Sequence, residues 1–196
     1  MKKLFLMASL MMLSLGAFAQ FAPGTLSIQP KVGLNIANVT DSEGADPRLG
    51  LVAGAEFEYQ VTDMFSLSAG ALYSMQGAKV DESGVTSTLK LDYINIPILA
   101  NVYVSKGLAV KLGLQPGFNI SSKISAKSGG NSVSIDAADA GFDIKSLDLA
   151  LPIGLSYQFD NFVIDGRYNF GLTKLIDGDS SKNSVFQITF GYKFAL

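Results

Sequence analysis

The sequence contains no cysteine, no histidine and no tryptophan. Without cysteine there is no disulfide and no thiolate nucleophile, so packing and backbone hydrogen bonds must hold the fold together. Without histidine there is no imidazole base to activate a serine and no histidine ligand for a metal. The sequence therefore predicts a non-enzymatic protein with no catalytic residue, no cofactor and no metal site.

Charge is also scarce. Only 16% of the residues are charged, and the net charge at neutral pH is −2. Proteins that bind nucleic acids usually present a basic surface to the phosphates. We therefore expect no nucleic-acid partner.

Long hydrophobic runs are missing after the first few residues. Met1, Lys2 and Lys3 form a short positive segment, residues 4–15 are apolar, and Ala17 to Ala19 provide an A-x-A cleavage motif. The apolar run is too short for a membrane-spanning helix, which needs about 20 residues. We predict a signal peptide at residues 1–19 and one mature domain at residues 20–196. If this domain lies in a membrane, it must do so as a closed barrel.

The mature sequence alternates apolar and polar or small residues with a period of two, which is typical of β-strands. In residues 49–61, Leu51, Phe57 and Tyr59 fall on one face, whereas Glu56 and Glu58 fall on the other. The same pattern predicts eight strands, at residues 28–38, 49–61, 65–76, 90–104, 108–121, 147–159, 162–172 and 185–194. Tight turns are predicted at 62–63, 105–107 and 160–161, and long loops at 40–47, 78–88, 122–145 and 173–183.

An even number of strands, with short turns at one end and long loops at the other, is typical of outer-membrane barrels. We therefore predict an all-β fold, an eight-stranded antiparallel up-and-down transmembrane β-barrel. A soluble periplasmic ligand-binding barrel alternates equally well, but its large apolar residues lie inside. Two predicted aromatic girdles favour lipid on the outside. The girdle at the short turns comprises Tyr59, Phe65, Tyr157, Phe159, Phe162, Tyr192 and Phe194, and the girdle near the loops comprises Tyr73, Phe118, Tyr168, Phe170 and Phe186.

Three prolines, Pro97, Pro116 and Pro152, fall inside predicted strands. Each removes a backbone donor from the hydrogen-bond ladder of a closed barrel, which has no free edge. We expect a bulge or local irregularity near them, and the strand register is most liable to change by one residue beyond these positions.

The predicted inner face carries charges of both signs. An eight-stranded barrel is filled by its own side chains, so these charges predict an internal ion-pair network, and a small-solute path remains the alternative. Glu56 and Glu58 are close enough to suggest an acid and base, but neighbouring lysines favour a structural role. The predicted inward residues are Lys31, Lys90, Lys111, Arg167 and Lys193 with Glu56, Glu58, Asp92, Asp148 and Asp165.

The predicted long loops are acidic but lack the spacing of a calcium-binding loop, so their carboxylates are interpreted as solvated charges. The acidic residues are Asp41, Glu43, Asp46, Asp136, Asp139, Asp143, Asp177 and Asp179. Residues 122–145 are long for an unstructured connection, and such loops are usually functional or disordered. We expect any surface partner to bind there.

Four segments carry a family resemblance: residues 93–99 (YINIPIL), 113–119 (GLQPGFN), 165–173 (DGRYNFGLT) and 186–194 (FQITFGYKF). They resemble the PorT-like outer-membrane β-barrels of Bacteroidetes-type bacteria. The resemblance implies a single barrel in the outer membrane, in contact with its lipid, and a possible link to protein secretion machinery. It implies no catalytic residues. One departure is the ending Phe194-Ala195-Leu196, because such barrels usually end on an aromatic residue. The partner and the oligomeric state stay open.

Overall fold

The computed structural model describes residues 21–40, 44–82, 84–128, 131–176 and 180–196. Among these residues there is no helix long and apolar enough to cross a membrane. The predicted signal peptide lies outside the described residues and stays a prediction. The strands are β1 (Leu26–Val39), β2 (Ala45–Thr62), β3 (Phe65–Glu82), β4 (Val85–Asn95), β5 (Ile98–Ser105), β6 (Leu108–Ser128), β7 (Asn131–Asp136), β8 (Leu147–Phe159), β9 (Phe162–Gly171), β10 (Asn183–Tyr192) and β11 (Phe194–Ala195).

The strands form a closed antiparallel ring. Successive strands pair with each other, and β10 returns to β1 through pairs such as Phe190 with Val32. The segments β4 and β5 act as one strand of the wall between β3 and β6, and β11 continues β10 along β1. Within the described residues the ring therefore has eight strands, which confirms the predicted fold class.

The short turns lie at one end of the barrel, together with the final strand. Asp160 and Asn161 form the β8–β9 turn as predicted, and Asp160 adopts a φ of 50°, which aspartate tolerates better than most residues. The β2–β3 turn lies one residue later than predicted, at Asp63 and Met64, because Thr62 still pairs with Phe65.

The opposite end contains more strand than the sequence suggested. Residues 78–88 were predicted to be a long loop, but β3 and β4 continue as a ladder until Glu82 pairs with Val85. Residues 122–145 are also not a simple loop. Their first part is a hairpin in which β6 and β7 pair from Lys123–Asp136 to Ser128–Asn131. Both predictions were wrong because these strand segments are rich in serine, lysine and other polar residues and therefore resemble loops in composition.

The two faces of the wall differ as predicted. In β2, Leu51 and Phe57 are 55% and 48% exposed on the outside, whereas Glu56 and Glu58 are 2% and 4% exposed inside. Leucine, isoleucine, valine and phenylalanine make up most of the exposed outer surface in the other strands as well. An apolar outside and a polar inside is the arrangement of a barrel in lipid, and the reverse of a soluble barrel.

Pro97 interrupts the barrel wall without shifting it. The ladder breaks at Ile96 and Pro97, which confirms the expected irregularity. The register is the same on both sides, because Asn95 pairs with Leu72 and Ile98 pairs with Ala69. The carbonyl of Pro97 also accepts a hydrogen bond from the Gly70 N–H at 3.2 Å.

Pro116 and Pro152 do not themselves shift the register, because Pro116 pairs with Leu149 and Pro152 with Asn169 in unshifted ladders. A one-residue shift does occur beyond Pro116 in β6, where Asp92 pairs with Ser121 and Tyr93 with Asn119. The other shifts lie at Pro47/Val52, Gln60/Thr62 and Tyr103/Ser105. Most of them lie near strand ends, where a bulge disturbs fewer neighbouring pairs.

Candidate functional site: the barrel interior and its loop end

The middle of the interior holds a network of five charged side chains. Arg167 donates to both oxygens of Asp165 at 2.8 Å and to Glu56 Oε1 at 3.0 Å. Lys31 donates to Glu56 Oε2 at 2.7 Å, and Lys111 Nζ lies 2.7 Å from Asp165 Oδ2. Their side chains are at most 3% exposed. Charges this deeply buried are tolerated only when they are paired and hydrogen-bonded.

Glycines on neighbouring strands make room for this network. A Cβ added to Gly70 would lie 2.7 Å from Glu56 Cγ and 2.3 Å from the Ala55 carbonyl oxygen. A Cβ on Gly154 would lie 2.6 Å from Arg167 Cβ. The glycine-rich inner face therefore serves as space for long charged side chains.

A second cluster lies closer to the short turns. Glu58 accepts hydrogen bonds from Lys193 Nζ at 2.9 Å, from Ser66 Oγ at 2.8 Å and from the Tyr103 hydroxyl. Asn101 donates to Ser66 Oγ at 3.0 Å and links the cluster to the next strand. These side chains fill the interior on the short-turn side of the five-residue network.

A third polar layer lies towards the loops. Asp148 accepts hydrogen bonds from Asn183 Nδ2 at 3.1 Å and from the Thr173 hydroxyl at 2.6 Å. Asn183 also donates to the hydroxyl oxygen of Tyr93 at 3.3 Å. The three layers contain four basic and four acidic side chains, so their charges balance and the predicted internal network is confirmed.

Glu56 and Glu58 do not form a carboxylate pair. Glu56 belongs to the middle network and Glu58 to the lower cluster, and each has its own cationic partners. A general acid and base need to face a shared substrate position. The geometry therefore favours the structural interpretation of both residues.

Two of the predicted inward charges were assigned to the wrong face. Lys90 and Asp92 alternate with Leu91 and Tyr93, which are fully buried inside the barrel. Asp92 instead accepts a hydrogen bond from the hydroxyl of the outward-facing Tyr73 at 2.8 Å. Lys90 and Asp92 lie on the same face of β4 as Ile94, the face opposite to Leu91 and Tyr93.

The aromatic residues of the predicted girdle at the short turns lie on the outer wall. Phe162 packs edge-on against Tyr192 with ring centroids 5.0 Å apart, and Tyr192 contacts Phe194 at 4.6 Å. Near the loop end, Tyr168 and Phe170 contact each other at 4.3 Å. Rings at these two levels suit the two interfaces of a bilayer.

The described residues of the predicted acidic loops do not form an ion site. Asp46, Asp136, Asp139 and Asp143 are exposed, and the other four acidic residues, at 41, 43, 177 and 179, lie outside the described residues. No group of three or more possible metal-ligating side chains exists within the described ranges.

At the loop end the inner face becomes apolar, which the sequence analysis missed. Val39, Ala78, Leu91, Tyr93 and Leu175 form a buried cluster there. Above this cluster lies the mouth cavity, a partly open space of about 260 Å³ between the barrel strands and the loops before β8 and after β9. The signal was present in the sequence, since Leu89, Leu91 and Tyr93 alternate with Lys90 and Asp92.

The second feature of this end is the β6–β7 hairpin, whose outer strand has a free edge. Within the described residues β7 pairs only with β6, and all six of its residues are exposed. Val133 and Ile135 are exposed apolar residues, at 67% and 47%. The hairpin lies within the region where the sequence predicted binding, but the free edge itself was not foreseen.

Comparisons with known proteins agree with the barrel fold of the structure. Residues 18–177 match the family model described as an outer membrane protein beta-barrel domain. The chain is similar to the crystal structure of Ail, the attachment invasion locus protein of Yersinia pestis, in complex with the heparin analogue sucrose octasulfate. The identity is 18%, 88% of this chain and 99% of that chain are covered, and the TM-score is 0.52.

Neisserial surface protein A is a second similar structure, with 15% identity, coverage of 89% of this chain and 100% of that chain, and a TM-score of 0.53. The comparison with curated proteins gave no match. At these identities the structural likeness shows the fold.

Proposed function

The chain belongs to the outer membrane protein beta-barrel domain family, and we propose that it is a non-enzymatic surface-interaction protein that binds a partner protein through the β6–β7 hairpin. It is an integral outer-membrane barrel, so this hairpin extends from the loop end of the wall. The main observation that supports this proposal is the unpaired edge of β7, which lies beside two exposed apolar side chains.

The chemistry of β7 favours a protein partner. An unpaired strand edge offers a row of backbone donors and acceptors, which an extended segment of another chain can complete. Val133 and Ile135 lie on the same face of the hairpin as Ile124, because they pair opposite Ala126 and Ile124. Backbone pairing along the edge, together with apolar contacts on this face, suits a β-strand of another envelope protein.

The PorT-like resemblance supports a partner from the secretion or envelope machinery. That finer assignment rests on the four sequence segments that carry the resemblance and is part of the proposal. Outer-membrane lipid is the second partner, and it contacts the apolar outer wall.

Photo-crosslinking in intact cells tests the proposal. A photoreactive side chain at position 133 is expected to give one discrete adduct with a protein of the envelope. The adduct should disappear when Ile135→Lys places a charge on the same face, and it should persist with Ser134→Lys, which places the same charge on the opposite face of β7. No adduct, or an adduct unaffected by either lysine, would refute the proposal.

The alternative function is a small-solute channel. Three hydrogen-bonded layers, centred on Glu58, Glu56 and Asp148, occupy the interior in succession. A path for ions would require these buried pairs to separate, which is costly in a barrel of this width. We expect no discrete conductance steps in planar bilayers, and regular single-channel openings would favour the channel instead.

A further inference from the structure

The mouth cavity lies at the level where the residues of the inner face change from charged to apolar. Below it the inner face carries the charged network, whereas the residues around the cavity are apolar. Val39, Ala78, Leu89 and Ile124 line it from the strands, and Ile144 and Leu175 line it from the loops. Among the described residues no charged residue lines it, and the polar residues in its wall are Ser87, Thr88 and Ser181.

The mouth cavity is a partly open recess, and its volume can be compared with that of a known ligand-binding cavity. An apolar cavity of about 150 Å³ in another protein stays dry and binds benzene. The mouth cavity, at about 260 Å³, is less than twice that size. It therefore offers room for one small apolar molecule, and few polar groups to retain ordered water.

The cavity has a floor. Leu91 and Tyr93 are fully buried beneath it, and the Tyr93 hydroxyl is held by the Asn183 side chain. The third polar layer, centred on Asp148, lies directly below. A molecule that enters from the loop end is therefore retained and has no route through the barrel.

The strand residues that line the cavity face the inside of the barrel. Ala78 pairs with Leu89, and Leu89 pairs with Ile124, so these three neighbours share the inner face. The barrel wall thus separates the cavity from the acyl chains of the bilayer. An occupant has to arrive from the aqueous side, as a free molecule of low polarity.

We propose that the mouth cavity is a binding site for a single small, uncharged apolar molecule, of the size of a two-ring aromatic compound or a short alkyl chain. The contacts are dispersion and hydrophobic burial, and the small number of polar residues in the described wall favours a molecule with at most one weakly polar substituent. No residue of β7 lines the site, so ligand binding in the cavity and the proposed surface interaction can be tested independently.

Methyl-resolved NMR of the full chain in lipid nanodiscs, titrated with naphthalene, tests this site. The probe also partitions into lipid, so the decisive readout is position-specific saturation. We expect saturable shifts at the methyl groups of Val39, Ile124 and Leu175. The lipid-facing methyl groups of Leu112 and Leu114 should shift only in proportion to the naphthalene concentration.

Two matched variants of β3 distinguish binding in the cavity from partitioning into lipid. Ala78→Phe fills the cavity and should weaken the saturable shifts at least tenfold, whereas Ala71→Phe adds the same ring to the lipid face of β3 and should leave them unchanged. Ile176 also lines the cavity from the loop after β9, so Ile176→Trp fills the cavity and replaces Ala78→Phe if that variant fails to fold. Linear shifts at the cavity methyls of the wild type, or saturation that persists in a folded filled variant, would overturn the proposal.

Discussion

Replacement of Asp165 by asparagine should destabilise the barrel more than any other single change in its interior. Asp165 accepts two hydrogen bonds from Arg167 and lies 2.7 Å from Lys111 and 3.9 Å from Lys31. It is the one carboxylate that contacts all three cations of the middle network. Asparagine keeps the shape but removes the charge, so three cations would be left with Glu56 alone.

The size of the expected loss of stability follows from the burial of Asp165. The Asp165 side chain is fully buried, so bulk water screens its interactions little. Removing one partner of a buried ion pair typically costs about 3 to 5 kcal/mol, because the remaining charge stays desolvated and uncompensated. Lys111 has no other salt bridge among the described residues, so we expect Asp165→Asn to fall in this range. Adding Lys111→Met should restore part of the loss, since it removes the unpaired cation.

The assay is reversible urea unfolding of the barrel in lipid vesicles, followed by tyrosine fluorescence and by heat-modifiable gel migration. Asp160→Asn provides the control, because it makes the same substitution in an exposed turn, where changes usually shift stability by less than about 0.5 kcal/mol. If Asp165→Asn unfolds at the same urea concentration as Asp160→Asn, the network does not stabilise the fold and the reasoning is wrong. Equal losses for the single and double variants would also contradict it.

Three further predictions follow from the wall, the interior and the first residues. Leu112→Arg places a charge on the lipid face between the two aromatic girdles and should destabilise the barrel by about 2 to 4 kcal/mol in vesicle unfolding, whereas an unchanged midpoint would argue against lipid contact. Gly70→Ala should lower the unfolding midpoint because its Cβ would lie 2.3 Å from the Ala55 carbonyl oxygen. Gly166 has open space around it, so Gly166→Ala should leave the midpoint unchanged. Equal effects of the two substitutions would count against the close approach at Gly70. Intact mass measurement of the protein purified from membranes should give a first residue of Gln20, and a retained Met1 would disprove the predicted signal peptide.

The barrel wall could be predicted from the sequence because strand side chains alternate strictly between two faces. In β2 the alternation alone separated Leu51 and Phe57 from Glu56 and Glu58. Closure of the ring was predicted because a sheet in a membrane cannot leave the backbone groups of an edge unpaired. The same rule fails where the surroundings change. In β4 the inner face turns apolar at Leu91 and Tyr93, so the assumption that charges lie inside misplaced Lys90.

The contents of the network could be predicted, but not its pairings. Arg167 reaches Glu56 across 111 residues of sequence. That contact depends on the stagger of strands around the closed ring, which no local pattern specifies. The β6–β7 hairpin was missed for a different reason. Its strands are joined by backbone pairing and by a hydrogen bond of 2.7 Å between the hydroxyls of Ser125 and Ser134, and such serine- and lysine-rich segments resemble loops in composition.

Site-directed spin labelling in lipid vesicles tests the orientation of the wall most directly, because the chain contains no native cysteine and each introduced cysteine is unique. Labels placed one at a time at positions 109, 110, 111, 112, 114 and 115 of β6 are compared for collision with oxygen, which concentrates in lipid, and with a water-soluble nickel complex. We predict high oxygen accessibility at Val110, Leu112 and Leu114, and low accessibility to both reagents at Ala109, Lys111 and Gln115. The opposite alternation, or no alternation, would contradict a barrel with its bulky side chains in lipid and its charges inside.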